Sequence, residues 1–350
     1  MKPSLRKFLA AGVALAGLTL IPKAYADVEV LFAGGNASQT VLYDRITNIL
    51  TGGISGVTIS STNSTVRTYQ GTITSLPGLG TVTIDFSLLG AVGGFQDLAG
   101  GNDENTALSN RLAPTVVVSS TSPEAVAIDP TPFVQTRTLV VPFVFIKNPA
   151  KAPNLASVTN LTQRQAAYLE GAAGFLPASF FGGTSTNPVY LVPRNTASAV
   201  RTETDLNIYF SGTISAWTTN GSGQPIPDPN GGQSSGGNVR GVVNALTNAI
   251  GTVAVQDLST ETPLNYEGVP YSVTNVENGS YPLWGFERWA YLKSGGGAPS
   301  PNQLLVINAL LSAVTNATYQ TTSPVFVGNF VPLGGLQVDR SSDGGPIFIP

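Results

Sequence analysis

The chain has 350 residues, 42% hydrophobic and 11% charged, with a formal net charge of −3. That is long enough for two or three buried cores, and the near-balanced charge excludes the basic surface of a nucleic-acid binder. Zero Cys and zero His exclude disulfides, thiolate chemistry, a lipid-modified cysteine and the usual Ser–His and Cys–His catalytic arrangements.

Lys2, Arg6 and Lys7 precede an uncharged apolar run, Phe8 to Ile21, and Ala24-Tyr25-Ala26 offers small residues for cleavage. Residues 1–26 therefore read as an export signal, too short in its apolar part to span a bilayer, with a mature chain starting at Asp27. Val28 to Phe32 predicts a strand, Gly34 to Ser38 a tight loop, and Leu42 to Leu50 a helix ended by Gly52-Gly53. A strand, Gly-rich loop and helix can cradle an anion on free backbone N–H groups, although an ordinary α/β turn has the same pattern.

Val57 to Ser60, Val66 to Ile73 and Thr81 to Leu88 are Thr- and Val-rich. Over residues 65–89 they predict an inserted β-hairpin. Gly90 to Gly94 forms a second Gly-rich loop, followed by a short helix near Phe95 to Leu98. Thr115 to Ser119 predicts a strand ending in Ser120-Thr121-Ser122-Pro123. Leu139 to Ile146 is wholly apolar apart from Pro142, which places an edge or a domain crossing there.

Thr162 and Gln165 have capping-box spacing and start a helix running to Glu170. Val189 to Val192 predicts a strand, Arg194 to Ser198 a polar loop, and Ala199 to Phe210 a helix. Residues 211–237 read as a long Gly/Ser/Asn/Pro loop, whose Gly232-Gln233-Ser234-Ser235-Gly236 matches a nucleophile pattern without any His to serve it. Asn238 is expected to cap a helix reaching Ile250. Tyr281 to Leu292 predicts a strand, Leu304 to Val314 a helix, and Phe326 to Leu333 an extended segment. Trp284, Phe286 and Trp289 read as core and rim rather than a stacking platform. The alternation of strands and helices predicts α/β architecture with mostly parallel sheets and a ligand site at loops past the strand ends.

Several segments resemble the phosphate-binding proteins of ABC transporters, which have the two-lobed type 2 periplasmic-binding-protein fold. LFAGGNASQTVLYDRI at 31–46, GAVGGFQDLAGG at 90–101, VVVSSTSP at 116–123, VVPFVFIKNP at 140–149, LTQRQAAYLEG at 161–171 and VPRNTASAVRTETDLNIYF at 192–210 carry the likeness. NAIGTVAV at 248–255 and GSYPLWGFERWAYL at 279–292 resemble the return to the first lobe. The resemblance implies a discontinuous first lobe, 27–138 and 266–350, and a second lobe, 139–265, closing on an oxyanion.

By that resemblance Arg194 stands at the phosphate arginine and Ser198 at the serine of its loop. Ala199 and Val200 replace a glycine and a threonine, and Thr121 stands where the family has an aspartate. Gly90 most nearly matches a ligand serine, while Ala37 falls on a threonine with Ser38 beside it. A carboxylate in the cleft selects a ligand that still carries a proton, so Thr121 relaxes that selectivity. The implied protein is an exported, periplasmic or secreted monomer. It binds phosphate or another small anionic or polar solute for an inner-membrane ABC permease, and needs no cofactor, metal or catalysis. The alternative left open is a structural or surface protein that keeps the fold with a lost or changed ligand.

Overall fold

The computed structural model describes residues 27–50, 58–59, 65–100 and 113–350. The segment read as an export signal, the Gly52-Gly53 helix stop and both ends of the Val57–Ser60 run lie outside the described residues.

β1 (Val28–Gly34) leads into α1 (Gln39–Ile49), the expected strand–loop–helix unit. Gly34 ends the strand with φ +126°, and a Cβ there would lie 2.1 Å from the Val118 carbonyl oxygen. Only glycine allows this turn beside a neighbouring backbone. β2 (Thr58–Ile59), β3 (Val66–Gly71) and β4 (Val82–Ser87) follow, and β3 pairs antiparallel with β4 as the expected hairpin. β4 also lies parallel to β1, so the hairpin is a wing of the main sheet. α2 (Ala91–Leu98) absorbs Gly93 and Gly94 into its first turns, and β5 (Val116–Ser119) lies parallel to β1 on its other side.

β6 (Phe133–Lys147) is a 15-residue strand. Beyond it come β7 (Asn160–Leu161), α3 (Gln163–Ala172), β8 (Tyr190–Val192) and α4 (Ala199–Asn207). The short pair β9 (Trp217–Thr219) and β10 (Pro225–Pro227) precedes α5 (Gly236–Ala245) and β11 (Ala249–Ala254). The chain returns through β12 (Thr262–Pro263), β13 (Asn265–Tyr266), α6 (Val273–Glu277) and β14 (Trp284–Leu292). It ends with α7 (Pro301–Val314), α8 (Ala317–Thr322) and the small pair β15 (Asp339–Arg340) and β16 (Ile347–Phe348).

The main sheet has the order β2-β3-β4-β1-β5-β14-β6-β11-β8, with β12 added to β6. β6 joins its two halves: Phe133–Pro142 runs opposite β14 and Phe143–Ile146 opposite β11. Pro142 sits at this handover. The sheet is mixed rather than mostly parallel, since β5–β14, β14–β6 and β6–β11 are all antiparallel. The apolar Leu139–Ile146 part of β6 and the aromatic β14 fit a sheet covered on both faces, and Trp284, Phe286 and Trp289 are buried in the core.

Three local readings change. The helix expected from Asn238 to Ile250 begins at Gly236, capped by Ser235 accepting from the Asn238 amide, and ends before Leu246. Asn248, at φ 57°, then turns the chain so that Ile250 belongs to β11. Apolar residues at helical spacing simply run across that junction. Residues 211–237 contain the β9–β10 pair, with Trp217 edge-on to Tyr190 at 5.0 Å. Phe326 to Leu333 forms turns that pack into the core and bridge the sheet at Val140–Val331. The capping box at Thr162 is present, and a second forms between Ser300 and Gln303.

Candidate functional site

Loops from the two halves of the sheet meet beyond the ends of β1 and β8. The turn after β1 brings Asn36 and Ala37, the start of α2 brings Gly90, and the loop before α4 brings Arg194, Ser198 and Ala199. They enclose a cavity of about 10 Å³, room for about one water. Ala197 closes it: a Cβ on Gly90 would lie 2.8 Å from the Ala197 Cβ, and the Val92 amide donates to the Ala197 carbonyl at 3.4 Å.

Arg194 is buried, and the Gly/Ser-rich stretch holds it. Its Nε donates to the Gln233 carbonyl at 3.2 Å, and Nη2 donates to the Ser234 carbonyl at 2.9 Å and to Asn36 Oδ1 at 3.4 Å. Its Nη1 is buried without a partner among the described residues. Burial pushes the guanidinium down to about 10, with the Asp257 charge opposing the shift. Burial likewise pushes the Asp257 carboxyl up to about 6, against the attraction of Arg194 and Arg240. Gly236 leaves the space for that carboxylate, since a Cβ there would meet Asp257 Oδ2 at 2.0 Å. Gln256 ties the same turn to the other half, donating to the Asn36 carbonyl at 3.0 Å and accepting from Thr40 at 2.7 Å.

Ser198 stands at the N-cap of α4 with no side-chain cap bond, so the helix start faces the cavity through Ser198, Ala199 and Val200. Ser38 belongs to the same first loop, but its hydroxyl donates to Glu287 Oε1. Glu287 is fully buried where β14 shifts register, and burial pushes its carboxyl up to about 8. Sequence reading missed Glu287; the available signal was a Glu-Arg pair inside an aromatic, otherwise apolar strand.

Thr121 does not border this cavity. It is buried, and its hydroxyl donates to Asp343 Oδ2 at 3.3 Å. Asp343 also accepts from the Ser122 amide at 2.5 Å and from Arg288 Nη2 at 2.6 Å. Burial works to raise the Asp343 carboxyl, but Arg288 and the Ser122 donors outweigh it and hold it below its ordinary range. Glu203 of α4 lies nearby, fully buried and driven well above its ordinary range by burial and by Asp343, against Arg288 and Arg340. Thus Ala37, Gly90, Arg194, Ser198 and Ala199 come together, Ser38 adjoins them, and Thr121 stands apart. Among the described residues no group of His, Cys, Asp and Glu could hold a metal ion, and no helix is long and apolar enough to cross a membrane.

No protein-family model matches the sequence, and no curated protein matches it. Solved structures do match. A Clostridium perfringens protein described as a phosphate ABC transporter substrate-binding protein, with bound phosphate, superposes with a TM-score of 0.57 at 13% identity. That match covers 87% of this chain and 99% of the other. A high-affinity periplasmic phosphate-binding protein bound with phosphate gives 0.52 at 12% identity, and a phosphate-binding protein from Stenotrophomonas maltophilia gives 0.51 at 13%. Each of these covers 87% of this chain and 91% of the other. The chain has the α/β, two-lobed periplasmic-binding fold of these phosphate-binding proteins. At such identities the likeness is one of fold.

Proposed function

We propose that the protein is an exported solute-binding protein that takes phosphate or a related oxyanion at Arg194. The site lies between a lobe of residues 27–138 and 266–350 and a lobe of residues 139–265. The observation that carries this reading is the unpartnered Nη1 of Arg194, buried beside the open start of α4. A buried donor without an acceptor costs stability, and an oxyanion supplies acceptors to both the guanidinium and the helix-end amides.

A cavity with room for one water requires the lobes to part for a tetrahedral anion to enter. Cleavage after residue 26, delivery to an inner-membrane ABC permease as a monomer, and the absence of catalysis belong to the same reading. Titration calorimetry with phosphate, sulfate, phosphonate and arsenate tests it. Saturable heat from at least one anion, lost in Arg194→Ala, is expected; silence from all four overturns it.

One observation favours a second reading, a structural or surface protein with a lost or changed ligand. Thr121, at the position of the family's aspartate, is engaged by Asp343 instead of facing the cavity. On that reading no anion raises the unfolding temperature, and Arg194→Ala changes nothing in its response to anions.

A further inference from the structure

A larger cavity, about 380 Å³, opens on the side where the chain passes between the lobes. The end of α4 and the start of α3 form one wall, the Tyr266–Glu267 turn another, and the C-terminal segment from Arg340 to Ile347 the third. None of the residues assigned to the anion site borders it.

Two buried polar atoms of its lining residues lack partners among the described residues. Arg340 spends Nη1 on Asn207 Oδ1 and the Trp284 carbonyl and Nη2 on the Pro282 carbonyl, leaving Nε unpaired. The Tyr266 hydroxyl is unpaired as well. Both side chains are at least nine-tenths buried, at 1% and 2% exposure. Buried donors of this kind are uncommon unless something occasionally satisfies them.

The rim carries a second, independent signal. Tyr209 follows α4 at φ 55° and Glu267 sits in a tight turn at φ 52°. Glycine or asparagine is the low-cost residue at such a helix end and such a turn. Glu267 uses its carboxylate to accept from the Gln163 amide at the start of α3, while the exposed Tyr209 held in left-handed backbone points to a use for its side chain. The Tyr209 ring is 71% exposed, while Pro282, Pro346 and Ile347 supply apolar wall.

Charge narrows the ligand class. The buried Asp343 charge acts on the Arg340 guanidinium, and the Glu267 carboxylate stands at the rim. The cavity therefore has no surplus positive charge for an anion. It offers donors from Arg340 and Tyr266, acceptors from Glu267, and a flat aromatic face. Adjacent hydroxyls on a ring of apolar C–H faces match all three.

We propose that this cavity is a second ligand site, distinct from the anion site, for a neutral polyhydroxylated ring of monosaccharide size. The test is calorimetric titration of the mature protein with D-glucose, D-galactose, D-mannose and inositol. At least one is expected to bind saturably. Tyr209→Ala, an exposed change, and Tyr266→Phe, which deletes only the hydroxyl, should each weaken that binding at least tenfold. Arg194→Ala should leave it unchanged, so failure here and failure of the anion reading are separable. No saturable heat from any of the four, or binding indifferent to both tyrosine variants, overturns the proposal. So does saturation of this cavity by phosphate in place of the sugars.

Discussion

The Asp343 carboxylate accepts a 2.5 Å hydrogen bond from the Ser122 amide, 221 residues earlier in the chain. The same carboxylate pairs with Arg288 and receives the Thr121 hydroxyl. Gly344, next in sequence, packs so closely on Leu206 of α4 that a Cβ would lie 2.4 Å from the Leu206 Cβ. The C-terminal segment therefore touches the end of β5, β14 and α4 together, fastening them to one another.

Removing that fastening should be costly. Asp343→Ala leaves Arg288 buried without its ion-pair partner, and breaking a buried pair from one side costs about 3–5 kcal/mol. Asp343→Asn keeps an acceptor for the Ser122 amide and should lose less. The native carboxyl is held below its ordinary value of 3.8, so its contribution is fully present above that pH. It is lost as pH falls through the lowered native value. Urea unfolding of both variants at pH 7 and in acid checks the order; equal stability of Asp343→Ala and wild type would refute the fastening.

Glu287 predicts the opposite pH dependence. Its carboxyl is raised from 4.5 to about 8, so between those values the native state holds a proton that the unfolded chain releases. Stability must then fall as pH rises through that window, by up to about 1.4 kcal/mol per pH unit from this group. Glu287→Gln fixes the neutral form and keeps a partner for Ser38. Its unfolding free energy should be flatter than wild type between pH 5 and 8, with the largest gap at the alkaline end. Parallel profiles for the two proteins would show that Glu287 is ionised in the fold.

Much of the fold was legible because local signals agreed with tertiary ones. The strand–Gly loop–helix at Val28 to Ile49, the hairpin over 65–89 and the Thr162 capping box all follow from period, turn residues and caps. Arg194 was legible through resemblance, and it does meet Ala37, Gly90 and Ser198. What failed to show were partners distant in sequence. Nothing near Thr121 announces Asp343, and nothing near Ser38 announces Glu287. The carbonyls of Gln233 and Ser234 that hold Arg194 lie in a stretch that composition alone describes as linker. Backbone acceptors leave no trace in residue type.

The contact between Gly90 and Ala197 gives a direct handle on closure of the cleft. These residues lie on separate loops, before α2 and before α4, and a methyl added at Gly90 would sit 2.8 Å from the Ala197 Cβ and 3.1 Å from its carbonyl oxygen. Real Cβ contacts are not that short, and the Ala197 backbone cannot rotate away as a flexible side chain would. Gly90 itself has extended backbone, φ 172°, so alanine brings no strain of its own. Gly90→Ala should act as a wedge, with little change in the strands beneath. Solution scattering should show a larger radius of gyration, and amides of the 36–38 and 195–198 loops should exchange faster. If closure captures an anion, its affinity falls at least tenfold, about 1.4 kcal/mol. Gly90→Ala combined with Ala197→Gly removes one of the two colliding methyls and should restore compactness and affinity together. Recovery of neither in the double variant would mean that the lobes do not close through this contact.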